Sequence, residues 1–262
     1  MSTAELKEVS LNYKLGGLES GKPIVFVNSL GSDLHMWDKV VPYFEEDFRT
    51  IRFDARGHGL SSVPERPYSI DKLGGDLLAL LDDLRIQSFM LCGLSLGGLI
   101  GQWIGIHAPQ RLSALILANS AARFLTRDAW EGRIEVVEAD GMAALAATTP
   151  SRWFTAAYIA KQPEEIRYIS GMIEKTPAKG YIGCCEVLRD TDFTELLPRI
   201  EAPCLVIGGT HDPATPPAVC HVLHQGIRGS KYVELNASHL SAWEKPAEFA
   251  AAMIDFLDPA PK

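Results

Sequence analysis

The stretch that most constrains this chain runs from Phe89 to His107. An apolar run, Phe89-Met90-Leu91-Cys92, enters the pentapeptide Gly93-Leu94-Ser95-Leu96-Gly97, and a helix-compatible stretch, Gly98 to His107, follows at once. A serine on a tight turn between a buried strand and a helix has its hydroxyl held clear of the sheet. Its neighbours must be small, because a side chain at either glycine collides with the turn. The backbone N–H of Leu96 then points the same way as the hydroxyl, at the positive end of the helix, where negative charge is stabilised. The pentapeptide by itself is a common pattern. Its place between strand and helix is what marks an enzyme.

Short β-rich apolar runs recur along the rest of the chain: Ile24 to Val27, Ile51 to Phe53, Ala114 to Ala118, Leu205 to Ile207 and Tyr232 to Leu235. Several lack polar alternation, as strands buried on both faces of a parallel sheet do, whereas Val9 to Tyr13 alternates and suits an antiparallel edge. Helical patterns lie between them, at Ile70 to Leu84, Leu99 to His107 and Pro246 to Leu257. Alternating strand and helix predicts an α/β fold with a mostly parallel central sheet flanked by helices. One interval breaks the rhythm. From about Ala121 to Leu197 only helical segments occur, such as Ala129 to Glu138 and Pro163 to Glu174. A crossover needs only a dozen or so residues, so the excess reads as an inserted helical cap, 121–197, on a core formed by 1–120 and 198–262.

With 262 residues and 47% hydrophobic content the chain can bury one large core. A formal net charge of −8 argues against nucleic acid or an anionic membrane as partner, since both need a basic face. A local positive pocket stays possible. The five cysteines (Cys92, Cys184, Cys185, Cys204, Cys220) are odd in number and show no C-x-x-C spacing, which predicts reduced, buried thiols. Met1 to Ser10 carries no apolar segment and no stretch reaches membrane-spanning length, so a soluble cytoplasmic protein is expected, a monomer or weak homo-oligomer.

A serine hydroxyl is a poor nucleophile until a base takes its proton, so Ser95 predicts a histidine and an acid that orients it. Of seven histidines, His239 has the best position. It follows the run Lys231 to Leu235 in the loop Asn236-Ala237-Ser238-His239, at the C-terminal edge of a strand, where ligand sites of open α/β sheets gather. His58, between Gly57 and Gly59, reads as the closure of a turn. His211 adjoins a better acid candidate, and His35, His107, His221 and His224 lack a matching context. That acid is Asp212, which follows the run Cys204 to Ile207 and lies between serine and histidine in chain order, as the motif requires. Asp190 and Asp192 fall in the insertion and read as solvated or capping carboxylates. The loop after Ile24 to Val27, Asn28-Ser29-Leu30-Gly31, offers the Leu30 N–H as a second oxyanion donor beside Leu96. Two such donors contribute roughly 3 kcal/mol each to lowering the barrier.

These segments resemble the α/β-hydrolase superfamily over essentially the whole chain and, within it, the 3-oxoadipate enol-lactonases. The resemblance rests on Asn28-Ser29-Leu30-Gly31 with Met36-Trp37, Arg56-Gly57-His58-Gly59, Cys92 to Gly98, Asn119-Ser120-Ala121-Ala122-Arg123, Arg152-Trp153-Phe154-Thr155, Gly209-Thr210-His211-Asp212 and Ala237-Ser238-His239. The serine and histidine motifs identify only the superfamily. Asn28-Ser29, where most relatives carry His-Gly, and the Ala-Ala-Arg and Arg-Trp-Phe-Thr segments point to the lactonases.

The resemblance implies hydrolysis of a five-membered enol lactone bearing a carboxymethyl arm, with Ser95, Asp212 and His239 as triad, Leu30 and Leu96 as oxyanion donors, and no metal or organic cofactor. The substrate carboxylate calls for a cation. Arg123 is the first choice, because guanidinium grips a carboxylate bidentately, and Arg152 the second; for either, a surface ion pair is the competing reading. Trp130, Trp153 and, more weakly, Trp243 would wall the pocket, with Ser29 as a further substrate contact. The same triad also suits a broad carboxylesterase, a carbon–carbon bond hydrolase or a cofactor-free perhydrolase, which pocket shape separates. A lactone-binding protein without turnover would normally carry a damaged triad, and a haloalkane dehalogenase would need an aspartate where Ser95 stands.

Overall fold

The computed structural model describes residues 1–124 and 126–257. Eight strands form one sheet: β1 (Ser2–Glu5), β2 (Ser10–Gly17), β3 (Lys22–Val27), β4 (Phe48–Phe53), β5 (Phe89–Leu94), β6 (Leu112–Ala118), β7 (Cys204–Gly209) and β8 (Lys231–Leu235). Their order is β1-β2-β4-β3-β5-β6-β7-β8. The β1–β2 and β2–β4 pairs are antiparallel and the remaining pairs parallel. The chain steps from β3 outward to β4, then returns to the other side of β3 for β5 and moves on to β6. The strand order therefore reverses between β3 and β5, and the crevice beyond their C-terminal ends is where an open α/β sheet binds its ligand. Leu30 and Ser95 follow these two strands.

Two core helices pack behind these strands, one against the sheet and the other against that helix. Helix α1 (Ile70–Asp83) buries Leu73, Leu77, Leu80 and Leu81 along one stripe, and its N-terminus is capped by the Ser69 hydroxyl, which accepts from the Lys72 N–H. Helix α2 (Leu96–His107) is buried nearly all round against β3, β5 and β6. The five cysteines are free and buried.

Between β6 and β7 lie α3 (Arg127–Thr148), α4 (Pro150–Trp153), α5 (Ala156–Lys161), α6 (Pro163–Lys175) and α7 (Ala178–Asp190). Helix α3 runs well past the expected Glu138 and is broken at Gly141, whose φ of 72° no helical residue adopts. The ends of the insertion are pinned together: Arg123 and Asp192 form an antiparallel bridge, and the Phe193 N–H donates to the Ala122 carbonyl at 2.9 Å. The chain closes with α8 (Pro217–Gly226), β8, α9 (Ser241–Glu244) and α10 (Pro246–Leu257). No described helix is long and apolar enough to cross a membrane. The edge strand β1, with the polar sequence Ser-Thr-Ala-Glu, carries no apolar run and was not legible as a strand.

Candidate active site

Ser95 occupies the turn between β5 and α2 with φ 58° and ψ −114°. A non-glycine residue at positive φ costs about 1–3 kcal/mol and persists only where its surroundings over-determine it. Here the Ser95 N–H donates to the Ala118 carbonyl at 3.0 Å, and the Ser120 hydroxyl donates to the Ser95 carbonyl at 2.9 Å. The turn is also packed too tightly for side chains. A Cβ at Gly93 would lie 2.2 Å from the Gly97 oxygen, and one at Gly97 would lie 2.1 Å from the Val27 oxygen. The second contact brings the turn against the end of β3, beside the Leu30 loop.

Asp212 and His239 come from the loops after β7 and β8. The Asp212 N–H donates to the Gly209 carbonyl within its own loop, and the His211 N–H donates to the Ala237 carbonyl, which ties the two loops together. His239 Nδ1 lies 2.8 Å from Asp212 Oδ2. With Nδ1 facing a carboxylate, the proton sits there and Nε2 keeps its lone pair, the form a general base needs. Asp212 also accepts from the Thr215 hydroxyl at 2.6 Å, Asn119 Nδ2 at 2.9 Å, and the N–H groups of Ala214 at 2.8 Å and Thr215 at 3.0 Å. Burial pushes this carboxyl up, but the attraction of His239 and these donors outweigh it and hold Asp212 well below the usual carboxylate range. The acid stays ionised. Ser95 and His239 line one cavity, with no hydrogen bond between their side chains.

The Leu30 loop leaves one donor free. The Ser29 N–H meets Met36 Sδ at 3.2 Å and the Gly31 N–H donates to His58 Nε2 at 3.0 Å, whereas the Leu30 N–H has no acceptor among the described residues. The Leu96 N–H, on the first turn of α2, is likewise without one. His58 closes the turn expected of it, and its ring does more. Burial lowers its pKa to about 4, so the ring stays neutral and can accept the Gly31 N–H.

The cavity encloses about 570 Å³ of empty space, part of it open solvent. Ser29, Leu30, Ser95 and His239 line its core side; Trp130, Arg133, Arg152, Trp153 and Tyr181 line the insertion side. Of the expected substrate contacts, Arg152, Trp130, Trp153 and Ser29 line this cavity. Arg123 does not. Its bridge to Asp192 at the neck of the insertion turns the side chain outward, 66% exposed, with Nη1 3.7 Å from the Asp192 carboxylate. The surface ion pair wins for Arg123, and the guanidinium found in the cavity instead is Arg133. Trp243 also lies outside the lining: its indole N–H donates to Glu165 and its ring stacks on Tyr168.

Arg133 stacks over the Trp130 ring at 5.4 Å and donates weakly to the Tyr181 hydroxyl at 3.4 Å. Among the described residues neither Arg133 nor Arg152 has a carboxylate within ion-pair distance. Burial and the like charge of Arg133 lower the pKa of Arg152. The Trp130 indole N–H is buried without an acceptor. Two guanidiniums without a carboxylate partner among the described residues give the cavity a cationic wall. The signal available in the sequence was the spacing Trp130-x-x-Arg133, one helical turn, which puts both on one face.

The insertion is laced to the histidine loop. The Ser238 hydroxyl donates to the Arg152 carbonyl at 3.0 Å and the Leu240 N–H to the Trp153 carbonyl at 2.9 Å. Glu244 accepts from the Ser238 N–H at 3.0 Å and from the N–H and hydroxyl of Thr155. Sequence reasoning missed Glu244 and the Asn119 contact, because both depend on chain segments about a hundred residues apart. Among the described residues no group of three or more His, Cys, Asp or Glu side chains is arranged to hold a metal ion.

The family model for the alpha/beta hydrolase fold matches residues 22–246. The chain is similar to two proteins of Acinetobacter baylyi. It is 41% identical to 3-oxoadipate enol-lactonase 2, over 96% of this chain and 94% of the relative, and 37% identical to 3-oxoadipate enol-lactonase 1, over 95% and 93%. Among solved structures, the enol-lactonase of Burkholderia xenovorans LB400 superposes with a TM-score of 0.96 at 39% identity, covering 98% of this chain and 99% of that one.

Proposed function

Given that the chain belongs to the alpha/beta hydrolase fold family and, within it, to the 3-oxoadipate enol-lactonases, we propose that it hydrolyses 3-oxoadipate enol-lactone to 3-oxoadipate, a step of the β-ketoadipate pathway of aromatic breakdown. The observation that carries the reading is one cavity lined both by a serine and histidine and by two arginines without a carboxylate partner among the described residues. A lactone carbonyl and a carboxylate on one small molecule match those two sets of groups.

In this reading Ser95 attacks the lactone carbonyl while His239 takes its proton, with Asp212 stabilising the imidazolium. The Leu30 and Leu96 N–H groups receive the oxyanion. The ring C–O bond breaks, the enol oxygen takes the proton from His239, and the enol tautomerises to the ketone. Water then releases the acyl group by the same base. Residues 121–197 act as a cap that supplies substrate recognition, and Arg133 and Arg152 grip the carboxymethyl arm between the Trp130 and Trp153 rings.

The test is to incubate purified protein with freshly generated enol lactone beside a simple aryl ester and follow lactone loss by ultraviolet absorbance. A large preference for the lactone, abolished in Ser95→Ala, is expected. Equal or better turnover of the aryl ester would leave only a general esterase.

A further inference from the structure

The acyl enzyme of the proposed reaction has a second identity. Once the lactone ring opens, Ser95 carries a linear six-carbon acyl chain that ends in a free carboxylate. Chemically this is a half-ester of a dicarboxylic acid, with the serine as its alcohol. The second half of the cycle is the hydrolysis of that half-ester, and nothing in it depends on the acyl group having arrived as a ring.

The cavity holds the groups such a chain needs. Ser95 and His239, the apolar side chains of Phe124, Trp130, Trp153, Ile173 and Leu188, and the guanidiniums of Arg133 and Arg152, without a carboxylate partner among the described residues, line one space. The ligand carries the matching set: an ester carbonyl, a short methylene run and a carboxylate. We infer that the protein also hydrolyses half-esters of short dicarboxylic acids, taking the free carboxylate at Arg133 and Arg152 and the ester at Ser95. This inference rests on the reading of Ser95, Asp212 and His239 given above.

The balance is simple for a methyl half-ester. Ser95 Oγ bonds to the ester carbon and its proton passes to His239 Nε2. The C–OCH3 bond breaks, and methanol leaves with that proton. Water then attacks the acyl carbon, gives a proton to His239, and the acyl–Oγ bond breaks as Oγ takes the proton back. One ester and one water yield one dicarboxylic acid and one methanol, with no redox step. Methoxide is a poorer leaving group than an enolate, so acylation is slower than with the lactone while the selection for a carboxylate persists.

The experiment compares kcat/KM for monomethyl adipate with that for dimethyl adipate, which has the same chain with its anion capped, in the full-length protein. Monomethyl adipate should be favoured by roughly ten- to a hundredfold, the worth of a charge-assisted hydrogen bond. Arg133→Met with Arg152→Met should erase that preference, Arg152→Lys should keep part of it, and adipate should compete with monomethyl adipate in the unaltered enzyme. Equal or better turnover of the diester would overturn the inference, as would failure of adipate to compete. The enol lactone is assayed in parallel. Lactone turnover without half-ester turnover refutes this inference and leaves the lactonase reading standing; half-ester turnover without lactone turnover does the reverse; loss of both refutes both.

Discussion

Beside the core side of the cavity the buried carboxylate of Asp212 is surrounded by donors: His239, Asn119, Thr215 and two backbone N–H groups. On the insertion side Arg133 and Arg152 line the same space with no carboxylate partner among the described residues. The first arrangement is complete before any ligand arrives, and a pre-organised charge needs no reorganisation during reaction. The second leaves charge unmet, which a ligand completes. In the proposed reading chemistry and selection are divided between two parts of the chain, so substitutions on the two sides should fail differently.

The largest expected effect is on the core side. Asp212→Asn keeps the shape but favours the wrong histidine tautomer, so kcat should fall by about 10³ to 10⁴ for the lactone and for a neutral ester alike. Loss confined to the lactone would break the comparison. A second core-side test uses pH. His58 binds a proton at about 4 in the folded chain against 6.5 ordinarily, so between those values only the unfolded chain takes it up. Stability is therefore full above pH 6.5 and falls by about 3 kcal/mol on acidification to pH 4. Urea unfolding across this range should show the slope, and His58→Asn should flatten it.

On the insertion side, Arg152→Met or Arg133→Met should raise KM for the lactone and cut kcat/KM by roughly ten- to a hundredfold, with neutral ester turnover little changed. Steady-state kinetics with both substrates reads the difference, and equal losses would remove the arginines from recognition. Glu244 joins the two sides, since it holds Ser238 beside His239 and Thr155 in the insertion. Glu244→Gln should lower kcat by about tenfold for both substrates with KM held, the cost of a weakened charged hydrogen bond. The smallest effect belongs to Arg123→Ala. An exposed ion pair contributes about 0–1 kcal/mol, so lactone kinetics should stay within about twofold.

Much of this was legible in the chain itself. Ser95, Asp212 and His239 each sit one loop beyond an apolar strand, and a local pattern carries that information because strand, turn and helix are set by neighbours in sequence. The alternation of strand and helix made the mostly parallel sheet legible for the same reason. The edge strand β1 was missed because a four-residue polar segment has no periodicity to read. Asn119 appeared only as part of a family motif, and its bond to Asp212 spans ninety-three positions.

The arginines mark the boundary between the two kinds of information. Arg123, Arg133 and Arg152 are chemically identical, and each lies near a plausible pocket in sequence. The sequence alone determined that the protein has a nucleophile elbow on an α/β sheet and cations in its insertion. Only the tertiary structure decided which cations line the cavity with Ser95, because a bridge to Asp192 leaves Arg123 at the surface while Arg133 and Arg152, on α3 and α4, line the cavity. Side-chain direction at a neck or on a helix is set by contacts between segments far apart in the chain, and no local pattern encodes it.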